Sequence, residues 1–153
     1  MYLIEKASLD DIEKLVEIQI SAFSNDLKMC GSGPPGFDSS EHQIKCLDNY
    51  SYYVIKGSKA TVGGFYFSVD EKGLNLIRLF VEPSQQNQGL GKLVLDFLAN
   101  QMSESMHIEL ETPTFSAEAQ RFYENNGFQK VQRIDYKSGS SFLYRKSVEQ
   151  PRS

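Results

Sequence analysis

Apolar positions along this chain recur with two periods, and the switches between them predict its elements. Residues 1–6 read as a short strand. Ser8 can cap a helix whose first turn holds Asp10 and Asp11; Ile12, Leu15, Val16, Ile18 and Phe23 then recur on one face, and the pattern fades near Cys30. Residues 31–36, with Pro34 and Pro35 inside, must form a loop. Ser39 or Ser40 opens a second helix to about Asn49. Residues 52–56 and 60–69 alternate as strands around a Gly57-Ser58 turn, and residues 70–73 form a hairpin turn. Gly63 and Gly64, inside the second of these strands, predict a bulge or a close backbone approach.

Residues 74–81 continue the meander as a third strand. A helix follows from Gly89 to about Ser103, with Leu90, Leu93, Val94, Phe97 and Leu98 inward. Residues 107–112 are a strand, residues 116–126 a helix ended by Gly127, and residues 128–135 and 141–148 a closing hairpin. This order predicts an α+β fold with a central, mixed but mostly antiparallel sheet flanked by helices. The strand–helix–strand unit from 74 to 112 is expected to be parallel, with a right-handed crossover. No internal repeat or linker interrupts the pattern, so residues 1–148 are expected to form one domain with a frayed tail at 149–153.

Composition narrows the partners. The 153 residues suffice for a sizeable core, and the net charge of −4, without a Lys/Arg run, argues against nucleic acid. No apolar stretch approaches a membrane span, and Glu5 and Lys6 interrupt any leader-like start, so a cytoplasmic, non-membrane protein is expected. Cys30 and Cys46 are not spaced as a CxxC pair, and His42 and His107 lie far from one another in sequence. Reduced thiols are expected, with no metal.

The chemistry-bearing segment is Leu79–Phe80–Val81–Glu82–Pro83–Ser84–Gln85–Gln86–Asn87–Gln88–Gly89–Leu90–Gly91–Lys92, where an apolar strand stops at a proline, turns, and enters a helix through two glycines. A helix start presents unpaired N–H groups and partial positive charge, which suit phosphate oxygens. Glycines let those oxygens approach the backbone, although they also serve as ordinary caps. A Walker loop is excluded because Leu93, not Ser or Thr, follows Gly91-Lys92. A dinucleotide fingerprint is excluded because Val94 stands where its third glycine belongs.

Gln86-x-x-Gly89-x-Gly91 resembles the acyl-CoA pyrophosphate loop of the GCN5-related N-acetyltransferase (GNAT) superfamily, and the element order is similar to that fold over essentially the whole chain. A second segment, Ala119–Gln120–Arg121–Phe122–Tyr123–Glu124–Asn125–Asn126–Gly127–Phe128, resembles the family's A-x-x-F-Y-x-x-x-G-F helix end. It follows the loop by about 30 residues with one strand between, as in the family. The resemblance implies an acetyl-CoA-dependent N-acetyltransferase acting on a small-molecule or peptide amine by direct transfer in a ternary complex, as a monomer or homodimer. A non-catalytic acyl-CoA-binding regulatory module is the alternative.

Carried over residue by residue, the resemblance implies that Leu79, Phe80 and Val81 offer backbone groups to the pantetheine arm and thioester oxygen. Gln86, Asn87, Gln88, Gly89, Leu90, Gly91 and Lys92 would hold the pyrophosphate. Tyr123 falls on the family's tyrosine near the thioester sulfur, where a phenol can protonate the leaving thiolate; a half-buried packing tyrosine is the other reading. Ser116 stands where many relatives carry an Asn that bonds the cofactor arm, and a serine there bonds it from closer range or caps the helix. Glu111 matches a glutamate that serves as base in some relatives, and Glu109 shares its strand face. The two carboxylates could instead bind a cationic acceptor or line a solvated edge strand. Arg78 could counter an acidic acceptor or pair with either of them. The acceptor would be shaped by residues 29–38, with Phe37 lining a pocket, and by residues 135–141.

Overall fold

Strand alternation and helical stripes resolve into the order predicted for an α+β chain in the computed structural model, which describes residues 1–24, 28, 33–102, 106–137 and 139–147. The elements are β1 (Leu3–Lys6), α1 (Ile12–Ala22), α2 (Ser40–Asn49), β2 (Ser51–Lys56), β3 (Thr61–Val69), β4 (Gly73–Val81), α3 (Leu90–Asn100), β5 (His107–Pro113), α4 (Ala117–Asn125), β6 (Gln129–Tyr136) and β7 (Gly139–Ser147). One seven-stranded sheet has the order β1-β2-β3-β4-β5-β7-β6. The β4–β5 ladder is parallel, as the strand–helix–strand reading requires, and β1–β2, β2–β3, β5–β7 and β6–β7 are antiparallel. The tail at 149–153 and the run of α1 toward Cys30 lie outside the described residues. By internal packing the chain forms two compact units, residues 1–67 with 78–91 and residues 68–77 with 92–153.

In the first unit, α1 contacts α2 and α2 contacts β2. Ile12, Leu15, Val16 and Ile18 are buried, which bears out the stripe read from the sequence. Ser39 caps α2 by accepting the His42 N–H at 3.1 Å. At Ser8 the roles reverse: the Asp11 carboxylate accepts the Ser8 N–H at 2.9 Å, and Leu9–Asp11 is a 3-10 turn ahead of α1. The two glycines of β3 answer to a close approach. A Cβ on Gly63 would stand 2.5 Å from the Phe80 carbonyl oxygen, and one on Gly64 would stand 2.8 Å from the Phe80 ring and 2.9 Å from Leu15. The irregularity in register falls one residue earlier, where Val62 is skipped between the Ile55–Gly63 and Lys56–Thr61 pairs.

In the second unit, Asp70 Oδ1 accepts the N–H groups of Lys72 and Gly73 and closes the turn before β4. The parallel ladder then covers only Gly73–Asn75 against His107–Glu109. β7 inserts between β5 and β6, so β5 is paired along its length, from His107–Ser147 to Pro113–Ser141. This corrects the edge-strand reading of the strand that carries Glu109 and Glu111. β6 is the edge instead, and it is mostly exposed. Among the described residues, no helix is long and apolar enough to cross a membrane.

Candidate active site

The glycine loop is built from the end of β4. Past Val81 the chain makes a 3-10 turn, Pro83–Gln85, with the Glu82 N–H donated to Val62 O at 2.7 Å. Tyr2 pins this turn from β1's side by donating its hydroxyl to Gln85 Oε1 at 2.8 Å, a contact the sequence did not signal. Gln86 leans back on the strand, its amide donated to Val81 O at 3.4 Å. Asn87 and Gly89 both take positive φ, +66° and +78°. Asparagine and glycine are the residues that tolerate this conformation, and the two reversals turn the chain into α3. A Cβ on Gly89 would meet nothing within 4 Å, so the glycine is required by backbone conformation while the space above it stays open. Gln88 is exposed, Leu90 is buried beneath the loop, and Gly91 lies in the first turn of α3, where N–H groups have no intrahelical partner. Lys92, expected at the pyrophosphate, forms an exposed ion pair with Asp96 at 3.6 Å one turn further along.

In the second unit, α4 ends in a Schellman motif: the Phe128 N–H bonds Tyr123 O at 3.0 Å and the Gly127 N–H bonds Glu124 O at 3.2 Å, with Gly127 at φ +89°. The hydrophobic contact that accompanies this motif is the Tyr123–Phe128 ring pair, with centroids 5.5 Å apart. Phe122 and Tyr144 flank Tyr123 at 5.1 and 6.5 Å, and only 9% of Tyr123 is exposed. Its ring is therefore packed as a core residue, yet among the described residues its hydroxyl has no hydrogen-bond partner. Burial raises the phenol's pKa well above its usual value, so it stays protonated through the neutral range. Ser116 occupies the N-cap position of α4 but makes no side-chain capping bond. Gln120 ties the first turn of α4 to the end of β5, donating to Pro113 O and Thr114 O.

The carboxylates have separate partners. Glu109 accepts from Arg145 Nε at 2.6 Å in a partly exposed ion pair. Glu111 is exposed and accepts a 2.6 Å bond from the Tyr136 hydroxyl, which raises the Tyr136 pKa chiefly through that bond. Thr112, beside it, is buried with an unpartnered hydroxyl.

Arg78 pairs with neither glutamate. Its guanidinium donates to Gln19 Oε1 at 3.1 Å and to Pro35 O at 2.7 Å, and lies 5.4 Å from the centroid of the Tyr66 ring. Gln43 sits in the same unit, taking a bond from the Tyr52 hydroxyl at 2.7 Å and donating to Gly36 O at 3.0 Å. Pro35 and Gly36, in the segment read as a loop, are thus tied through their carbonyls to a guanidinium and an amide, and Phe37, read as lining a pocket, is core packing, edge-on to Phe23 at 6.1 Å. The sequence held a signal for this polar layer. Gln19 interrupts the apolar stripe of α1, and Gln43 faces inward with Cys46 on α2. Cys46 is a free, buried thiol, its pKa raised by burial, whereas Cys30 lies outside the described residues.

Comparison with known proteins puts this geometry in a family. The chain superimposes on a PaiA N-acetyltransferase from Thermoplasma acidophilum solved in complex with coenzyme A, with a TM-score of 0.79 at 16% identity over 96% of this chain and 99% of that one. It superimposes on the Escherichia coli ribosomal-protein-S18-alanine N-acetyltransferase with a TM-score of 0.78 at 17% identity, covering 99% and 96% of the two chains. Ard1 from Thermoplasma volcanium gives 0.79 at 20% identity, covering 97% and 99%. At these identities the likeness shows a shared fold. No functionally curated protein sequence matches. The family profile described as an acetyltransferase (GNAT) domain matches residues 48–130, from the end of α2 into β6, which is more than half of the chain. The protein belongs to the GNAT acetyltransferase domain family.

Proposed function

We propose that this protein transfers an acetyl group from acetyl-CoA to a primary amine by direct attack of the amine on the thioester. The observation that carries this reading is Tyr123: its ring is fully used in packing, and its hydroxyl has no use in the fold among the described residues. A phenol kept protonated by burial is suited to supply a proton to a departing thiolate. The open space at Gly89 supports pyrophosphate binding over the start of α3, with Asn87, Gln88, Leu90 and Gly91 contributing backbone groups and Gln86 and Lys92 polar side chains. In this reading, backbone groups at the end of β4, among Leu79, Phe80 and Val81, polarise the thioester oxygen and bond the pantetheine arm. Ser116, whose hydroxyl makes no capping bond, adds a donor for that arm.

For the proton of the attacking amine, Glu111 is the better acceptor. The contact that holds it comes from a neutral phenol and engages one carboxylate oxygen, whereas Glu109 is committed to a guanidinium. Free aliphatic amines are mostly protonated at neutral pH, so a base is needed before attack. The test has two parts on the purified chain. Calorimetric titration with acetyl-CoA is expected to show binding, and release of free thiol in the presence of an amine panel is expected to show transfer. Binding without transfer to any amine would identify an acyl-CoA-binding module, and absence of both would reject the reading.

A further inference from the structure

We infer that the acceptor amine also carries a carboxylate, and that Arg78 and Tyr66 are the residues that receive it. The inference rests on the N-acetyltransferase reading and adds the substrate class. Arg78 is only 9% exposed and Tyr66 only 1%. A guanidinium is always charged, and removing it from water is unfavourable unless an anion compensates it. Among the described residues, no carboxylate lies within ion-pair distance of Arg78. Its polar partners, Gln19 Oε1 and Pro35 O, are both neutral. They orient the fork and leave its other N–H donors without partners among the described residues.

Tyr66 supplies the second, independent observation. Its hydroxyl is buried beside the Cys46 thiol and the Gln43 amide, and it makes no well-formed hydrogen bond among the described residues. The ring is fixed between Tyr50, stacked at 5.5 Å, and Tyr52, tilted at 4.7 Å, with the guanidinium 5.4 Å from its centroid. The groups beside it have other partners: Gln43 accepts from the Tyr52 hydroxyl and donates to Gly36 O, and the Cys46 thiol lies 3.6 Å from His42 Nδ1. A native fold satisfies nearly all its buried polar groups, so a phenol without a well-formed bond beside a guanidinium without an anion leaves donor capacity that the fold does not use. A planar oxyanion fits both, accepting N–H bonds from the fork and an O–H bond from the phenol. A polyamine or a lysine side chain would bring a second cation toward Arg78 and is disfavoured. The position also suits an acceptor site, because Arg78 directly precedes Leu79, Phe80 and Val81 on β4.

The experiment compares kcat/KM, by thiol release, for ω-amino acids of one to five methylenes with their matching ω-amino amides, which lack only the charge. At the best chain length the acid is expected to exceed its amide by about tenfold to a hundredfold, the range of a charge-assisted hydrogen-bonded contact. Arg78→Gln is expected to bring that ratio toward one, Arg78→Lys to leave an intermediate ratio, and Tyr66→Phe to lower it several-fold. Tyr66→Phe keeps both ring contacts and decides the matter if the Arg78 variants fail to fold. Ratios near one at every length in the wild type would overturn the inference, as would a ratio that Tyr66→Phe and the folded Arg78 variants leave unchanged. Calorimetry of the same amino acids on the protein saturated with coenzyme A reads the carboxylate site without any transfer. Discrimination there with no turnover would reject the catalytic reading and keep the anion site, and turnover without discrimination would do the reverse.

Discussion

Replacing Tyr123 with phenylalanine separates what this side chain does for the fold from what it does for the reaction. The ring stands within 5.1–6.5 Å of three others, Phe122, Phe128 and Tyr144, and seals the C-terminal end of α4. Those contacts survive in Tyr123→Phe, and no hydrogen bond among the described residues is lost with the hydroxyl. Stability is therefore expected to change by less than about 0.5 kcal/mol, whereas Tyr123→Ala, which deletes the ring, should cost about 3–5 kcal/mol. The catalytic loss is bounded by the leaving group. A thiolate with a pKa near that of a free thiol, about 8.5, departs tolerably without protonation, so general-acid help should lie at or below the usual range of about 10²–10⁴-fold. At about 1.4 kcal/mol per tenfold, a hundredfold loss corresponds to about 2.7 kcal/mol of barrier, several times the expected stability change. The assay combines thermal denaturation, acetyl-CoA titration and thiol release, with unchanged melting, unchanged affinity and slower turnover expected. Because burial raises the phenol's pKa, the wild type should lose no activity through Tyr123 ionisation below about pH 10, the reference value for an exposed tyrosine. A folded Tyr123→Phe protein with full activity would refute the argument and leave the phenol a packing role only.

Gly89→Asp and Gly89→Asn are nearly isosteric, and both residues tolerate positive φ. If phosphates sit over this loop, the aspartate variant should bind acetyl-CoA about tenfold more weakly than the asparagine variant at low salt, and calorimetry showing equal affinities would reject the pyrophosphate site. Glu111→Gln should lower turnover most near neutral pH and recover part of the deficit as pH rises and more acceptor amine is already neutral; a pH profile parallel to wild type at undiminished turnover would remove Glu111 as base. Gly63→Ala forces a methyl to within 2.5 Å of the Phe80 carbonyl oxygen, a backbone atom that cannot rotate away, so denaturant unfolding should show a loss of about 1–3 kcal/mol. Acetyl-CoA affinity should fall with it, because the displaced backbone belongs to the Phe80–Val81 segment, and an unchanged unfolding midpoint would contradict the close approach.

The sequence by itself determined the features that depend on neighbours along the chain. Strand alternation, the helical stripe of α1, the Ser39 cap and the Gly127 helix end were legible because each is governed by residues within a few positions of one another. The loop through Gly89 was legible for the same reason, and so was the parallel unit around α3, since a crossover of that length fits parallel strands. Tertiary structure alone decided the rest, because those interactions join residues that local spacing cannot relate. Gln19 and Pro35 meet Arg78 across 59 and 43 positions, in place of the glutamates that were among the partners left open by the sequence. The insertion of β7 beside β5 gave Glu109 to Arg145 and turned a supposed edge strand into an interior one. Gly63 and Gly64 could be read as requiring space, but not as yielding it to Phe80. Burial shows the same limit. Periodicity places Tyr123 on an inward face, but only the packed rings around it show that the ring, and not the hydroxyl, serves the fold.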